Sequence, residues 1–162
     1  SATDSVVALA RAPADWDVVV AAPGIGAALG RDAAARLARP GFRLVDGPVR
    51  LDRLLPGCDL GVSHASSGVA AAFVAAGTPQ LCLPTHVEQV MCARALATNR
   101  LALGLIGGFG AEQILDGARK AASLPKLRES AAALADRLRS EDMLRPGERI
   151  AARLLALVGI GS

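Results

Sequence analysis

Tyrosine is absent from this 162-residue sequence, and aromatic residues make up 2% of it. Chemistry that uses a tyrosine acid or base is excluded. So few rings also argue against a stacking platform for single-stranded nucleic acid. Cysteine occurs three times, at Cys58, Cys82 and Cys92, in neither a CxxC nor any zinc-ligand spacing. An odd number of thiols among apolar neighbours predicts reduced cysteines and a cytoplasmic protein. No apolar run reaches the roughly 18 residues that span a bilayer, so no membrane span is expected. The first residues lack the basic and leucine-rich segments of a secretory signal. Charge is sparse as well: 18 Lys and Arg against 15 Asp and Glu leave a formal +3. The basic residues are spread along the chain, which predicts no nucleic-acid partner.

What the chain has in quantity is apolar residues, 52% of the total. That suffices for the core of one domain over residues 1–162. The pattern alternates between strand and helix. Val6 to Ala12 reads as the end of a helix and Asp17 to Ala22 as a β-branched strand. Arg31 to Arg39 reads as helix, stopped by Pro40-Gly41. Further strands are predicted at Phe42–Asp46, Asp59–Ser63, Gln80–Leu83 and Leu101–Ile106. A short helical turn is predicted at Leu51–Leu55, and helices at Gly68–Ala76, Val87–Thr98, Lys126–Arg139 and Gly147–Val158. Gly77 closes the helix over Gly68–Ala76, with Pro79 just beyond. Short, uniformly apolar strands between helices predict an α/β, doubly wound, Rossmann-like parallel sheet with helices on both faces. Ligands of such a sheet bind at the carboxyl ends of the strands.

A doubly wound domain ordinarily opens on a strand that lies centrally in its sheet, whereas this chain opens on a helix. The expectation is a missing first strand and an empty slot between Asp17–Ala22 and Asp59–Ser63. Upstream residues, a strand from a partner in a homo-oligomer, or direct pairing of the two flanking strands would fill or close it.

Two stretches carry candidate sites. Gly24-Ile25-Gly26-Ala27-Ala28-Leu29-Gly30 follows a strand and precedes a helix, and Asp46 ends the next strand. Glycines at a helix start let backbone approach a pyrophosphate, and the acid stands where an NAD(P) enzyme binds ribose. The spacing G-x-G-x-x-x-G is looser than the dinucleotide fingerprint, and a plain strand-ending turn with a helix start is the better reading. The second stretch runs from Leu54 to Ala93. A strand ends at Ser63-His64, and Ala65-Ser66-Ser67-Gly68 turns into a helix whose free N–H groups can hold a diphosphate. The next strand ends at Pro84, with Glu88 and Gln89 just beyond it at the same edge, a pair suited to hydroxyl recognition. Ordinary alternatives are a strand-end histidine in a simple hydrogen bond and a solvated helix start. Ser66 and Ser67 do not form G-x-S-x-G, so a serine-hydrolase elbow is not supported.

His64, Gly68, Gly77, Pro79, Pro84, Glu88, Gln89 and Ala93 fall without a gap on the pattern H-G-G-x-G-T, then G-V-P-x-x-x-x-P-x-x-x-[DE]-Q-x-x-N-A. That pattern belongs to the UDP-glycosyltransferase-like enzymes of GT-B fold, and the stretch from about Val18 to Leu105 resembles their C-terminal, nucleotide-sugar domain. The resemblance implies that His64 and the backbone of Ser66, Ser67, Gly68 and Val69 hold the donor diphosphate. It implies that Glu88 and Gln89 hold the sugar, and that Pro48 and Val49 occupy the nucleobase region. It further implies a preceding acceptor-binding domain that supplies the catalytic base, no catalytic residue in this chain, no metal and no cofactor. By this resemblance the chain alone is not an active hexosyltransferase.

The sequence departs from the pattern in several places. Ala65 and Ser66 replace the paired glycines, Val69 replaces a hydroxyl residue, Ala72 a ribose-binding Glu and Cys92 an Asn. No aromatic in Gly47-Pro48-Val49-Arg50 can stack a base. A non-catalytic nucleotide-binding module and an NAD(P)-linked oxidoreductase using Gly24 to Gly30 therefore stand as alternatives. The identity of the sugar and of the acceptor is left open.

Overall fold

The structure, a computed structural model, describes residues 2–30, 37, 39–141 and 146–157. The helix expected over Arg31 to Arg39 falls, apart from Leu37 and Arg39, outside the described residues. Helix α1 (Ala2–Ala10) leads to strand β1 (Val18–Ala21), the short helix α2 (Ile25–Leu29) and β2 (Phe42–Val45). A helical turn α3 (Leu51–Leu54) continues as a 3₁₀ turn over Leu55–Gly57 and enters β3 (Gly61–Ser63). Then follow α4 (Ser67–Ala76), β4 (Gln80–Cys82), α5 (Val87–Thr98) and β5 (Ala102–Gly104). Three helices complete the described chain: α6 (Ala111–Ser123), α7 (Pro125–Ser140) and α8 (Pro146–Leu157).

Among the described residues the named strands pair with one another in parallel, as uniformly apolar strands between helices require. β4 is central to its sheet and buried at every residue. Successive side chains of β4 point to opposite faces, and each face has its own core. Cys82 packs with Ala70 of α4, Ala93 and Leu96 of α5, Ala102 and Ala131. Leu81 packs with Ala8 of α1, Ile114, Ala118 and Ala121 of α6, and Leu127. Alanine dominates the Cys82 layer, so α4 and α5 approach the sheet closely there, whereas leucine and isoleucine share the Leu81 layer with alanine. Gly77 shows the same economy of space. It ends α4 in the left-handed conformation at φ 74°, and a methyl group there would come within 3.3 Å of the Ala135 side chain.

Two features differ from the sequence-based expectation. The first is α6, which has no counterpart in the predicted elements. Glycine lowers helix propensity at Gly117, yet Ile114, Gly117, Ala118 and Ala121 form one buried face at helical spacing. Gly117 is useful there, because the side chains of Leu81 and Leu105 fill the space a methyl group would need. The second concerns the sheet, which is divided. β1 pairs with β2, and β3–β4–β5 form a separate three-stranded sheet. Direct pairing of β1 with β3 does not occur, so each keeps one unpaired edge among the described residues. Helix α1 connects the two parts: Val6 belongs to the core around Val20 and Ile25, Ala8 to the core under Leu81, and Leu9 packs against both.

Candidate functional site

The carboxyl ends of β3 and β4 carry the second candidate stretch. Beyond β3, the His64 ring is half-buried, and its Nδ1 lies 2.7 Å from the Leu83 carbonyl oxygen at the end of β4. A carbonyl only accepts, so Nδ1 carries the hydrogen and Nε2 is the nitrogen left for other partners. In the neutral ring Nε2 is an acceptor; it donates only once the imidazole is protonated.

The next residue, Ala65, is fully buried and adopts the left-handed conformation at φ 61°, and its N–H is held by Ser63 Oγ at 3.1 Å. The first of the two missing glycines therefore does not prevent the left-handed turn. Core packing on the Ala65 methyl group and the Ser63 bond hold a conformation that ordinarily costs an L-residue about 1–2 kcal/mol. Ser66 has φ −62°, which needs no glycine.

Ser66 is the N-cap of α4, but its side chain makes no capping bond. The first intrahelical bond runs from Ala70 N–H to Ser66 C=O at 2.9 Å. The amides of Ser67, Gly68 and Val69 thus lack an intrahelical acceptor, as helix geometry dictates. No heavy atom lies within 4 Å of the position a Gly68 Cβ would take, so the space over this turn is open.

Glu88 and Gln89 occupy the first turn of α5. Glu88 is exposed and Gln89 half-buried. Gln89 Oε1 accepts from the Thr85 amide at 2.8 Å and the Thr85 hydroxyl at 3.1 Å, which leaves its NH₂ as the outward donor. This closure of the β4–α5 turn by Gln89 was not visible in the sequence motif. Pro48, exposed, and Val49, half-buried, lie in the loop after β2, in the other β-unit. Beside them Arg50 grips Asp52 through two bonds of 3.0 and 2.7 Å, so its guanidinium is engaged.

The first candidate stretch has a different explanation. Asp46 Oδ1 accepts from the Gly24 amide at 2.6 Å and Oδ2 from the Gly26 amide at 3.1 Å. The acid that would bind ribose instead occupies the amides that would bind pyrophosphate. A side chain at Gly26 would also collide with the Asp46 carboxylate. These glycines serve a turn closed by its own carboxylate, and the dinucleotide alternative loses its structural basis.

The cysteines are all unpaired thiols. Burial, with a smaller contribution from nearby Cys92, pushes the Cys82 thiol up to about 12. Burial raises Cys58 as well. Among the described residues no cluster of three or more His, Cys, Asp or Glu is placed to hold a metal ion, and no helix is long and apolar enough to cross a membrane.

No protein-family profile matches the chain, and no curated protein sequence does. Solved structures do match. The spinosyn rhamnosyltransferase SpnG is 26% identical with a TM-score of 0.69, over 85% of this chain and 36% of that one. The glycosyltransferase VinC, solved in complex with dTDP, is 23% identical with a TM-score of 0.70, over 94% and 38% of the two chains. The glycotransferase of kitacinnamycin is 21% identical with a TM-score of 0.71, over 91% and 37%. The chain thus spans little more than a third of the length of these neighbours. Taken with the motif from His64 to Ala93, these likenesses give the chain the architecture of a single half, the C-terminal one, of a GT-B-type glycosyltransferase.

Proposed function

We propose that this domain binds the nucleotide-sugar donor of a glycosyltransferase. The observation that carries the reading is the turn after β3. Three consecutive amides without helical partners, at Ser67, Gly68 and Val69, share the sheet edge with an imidazole whose Nδ1 is tied back to Leu83. In the reaction, the bond between the sugar's anomeric carbon and the diphosphate oxygen breaks, and a bond to the acceptor oxygen forms. The acceptor's proton goes to a base in the acceptor-binding half, and the diphosphate leaves with added negative charge. Amides and an imidazolium aimed at that charge stabilise it without reorganising. The positive end of the α4 dipole acts in the same sense. Glu88 and the free NH₂ of Gln89 would hold sugar hydroxyls. VinC was solved with dTDP and SpnG is a rhamnosyltransferase, so dTDP and a dTDP-hexose are suitable probes alongside UDP.

Calorimetric titration with UDP and dTDP tests the reading. His64→Ala should weaken binding by about 1.5–3 kcal/mol, roughly 10- to 150-fold, the range for a hydrogen bond to a charged group. Equal affinity in the wild type and His64→Ala would refute the phosphate site. The pair Glu88→Ala, Gln89→Ala should weaken nucleotide sugar more than bare nucleotide; equal losses would reassign the pair to holding the β4–α5 turn.

A further inference from the structure

Along the sheet edge the strand order β3–β4–β5 places the phosphate turn first and the first turn of α5 second. Third comes a groove of about 630 Å³ between α5 and the β5–α6 loop, of the size that takes a drug-like molecule. Val87, Val90, Met91 and Phe109 line it. Val87 is 78% and Met91 67% exposed, high values for large apolar side chains. The opposite rim is Gly107-Gly108, with φ of 94° and 109° and open space where side chains would be, so the groove's mouth stays wide. His86 and Arg94 also line the groove, and no acidic residue does. Neither of these two side chains has a hydrogen-bond or ion-pair partner among the described residues.

We infer that this groove binds an apolar organic molecule bearing an acidic group: its body against Val87, Met91 and Phe109, its anion toward Arg94 and His86. The charge pattern decides the occupant, because a purely apolar body leaves the Arg94 guanidinium and the His86 ring unanswered and a basic partner is repelled by Arg94. Resting on the donor reading above, the same position suits the acceptor of sugar transfer. In direct displacement the incoming oxygen approaches the face opposite the departing group. Diphosphate, sugar and groove follow one another along the edge in that order. The groove would then form one wall of the acceptor site, facing the half of the enzyme that carries the base.

The test uses 8-anilinonaphthalene-1-sulfonate, an apolar aromatic anion, titrated into the full 162-residue chain and read by fluorescence. Saturable binding is expected, weakened about tenfold or more by Val87→Asp and by Arg94→Gln, the equivalent of one charged hydrogen bond. Leu154→Lys on α8, where Leu154 is also exposed, should leave binding unchanged. Thermal unfolding confirms that each variant folds; Arg94 is exposed, so Arg94→Gln remains informative if Val87→Asp does not fold. Undiminished binding in Arg94→Gln, or loss in Leu154→Lys instead, would overturn the inference. So would a concentration-dependent dimer abolished by Val87→Asp, which would make a second copy the occupant. UDP affinity, measured in parallel, should be unchanged in Arg94→Gln and weakened roughly 10- to 150-fold in His64→Ala. Failure of the donor reading and failure of the groove are therefore seen separately.

Discussion

An alanine at Gly61 would place its methyl group inside the van der Waals envelope of the Phe73 ring, against Cε1, Cδ1 and Cζ together. Phe73 is buried in α4, the helix whose first turn carries the Ser67–Val69 amides, so neither ring nor strand can yield freely. Overpacking of this kind costs about 1–3 kcal/mol. Restricting the unfolded chain returns about 0.4–1 kcal/mol. The net expectation for Gly61→Ala is a loss of about 1–2 kcal/mol, a fall in melting temperature of roughly 2–8 °C for a chain of this length. Urea unfolding at fixed pH measures the loss directly. Phe73→Leu supplies the control, because a smaller side chain vacates the contested space. The double variant should be more stable than the sum of the single effects by at least about 0.5 kcal/mol. Strain at this contact should also displace α4 and weaken nucleotide binding in Gly61→Ala, with partial recovery in the double variant. A Gly61→Ala chain as stable as the wild type, or purely additive effects, would refute the close approach of α4 to β3.

Asp46→Ala strips two charge-assisted bonds from the Gly24–Gly26 turn; chemical denaturation should show a loss of about 1–2 kcal/mol, whereas a silent substitution would mean the clamp is not formed in solution. Cys82 makes alkaline stability a second readout. Its folded thiol keeps a proton up to about 12 while the unfolded thiol releases it near 9.0. The unfolded state therefore binds fewer protons across that window, and stability falls as pH rises from about 9 to about 12. Comparing urea midpoints near pH 8 and pH 10, the wild type should lose more than Cys82→Ala; equal slopes would show that the thiol is not protected by burial.

Much of this architecture was legible in the chain itself, for local reasons. A β-branched run ended by Pro23-Gly24 marked β1, the stretch between Pro40-Gly41 and Gly47-Pro48 marked β2, and Val87–Thr98 was read to the residue, because strand and helix periods are written in neighbouring side chains. The register of His64, Gly68, Pro84 and Glu88 was equally local. Helix α6 escaped because a glycine that breaks an isolated helix is favoured where Leu81 and Leu105 need its space, and that contact joins residues far apart in the chain. Tertiary structure alone decided what the polar groups do. Asp46 turns back on Gly24 and Gly26, Leu83 selects the tautomer of His64, and Gln89 spends its carbonyl on Thr85. Core packing holds Ala65 left-handed where the pattern it resembles has glycine. Composition and spacing determine which elements form, since those depend on side chains within a few residues. Hydrogen-bond partners and close approaches depend on distances across the fold, and only the packed chain sets those.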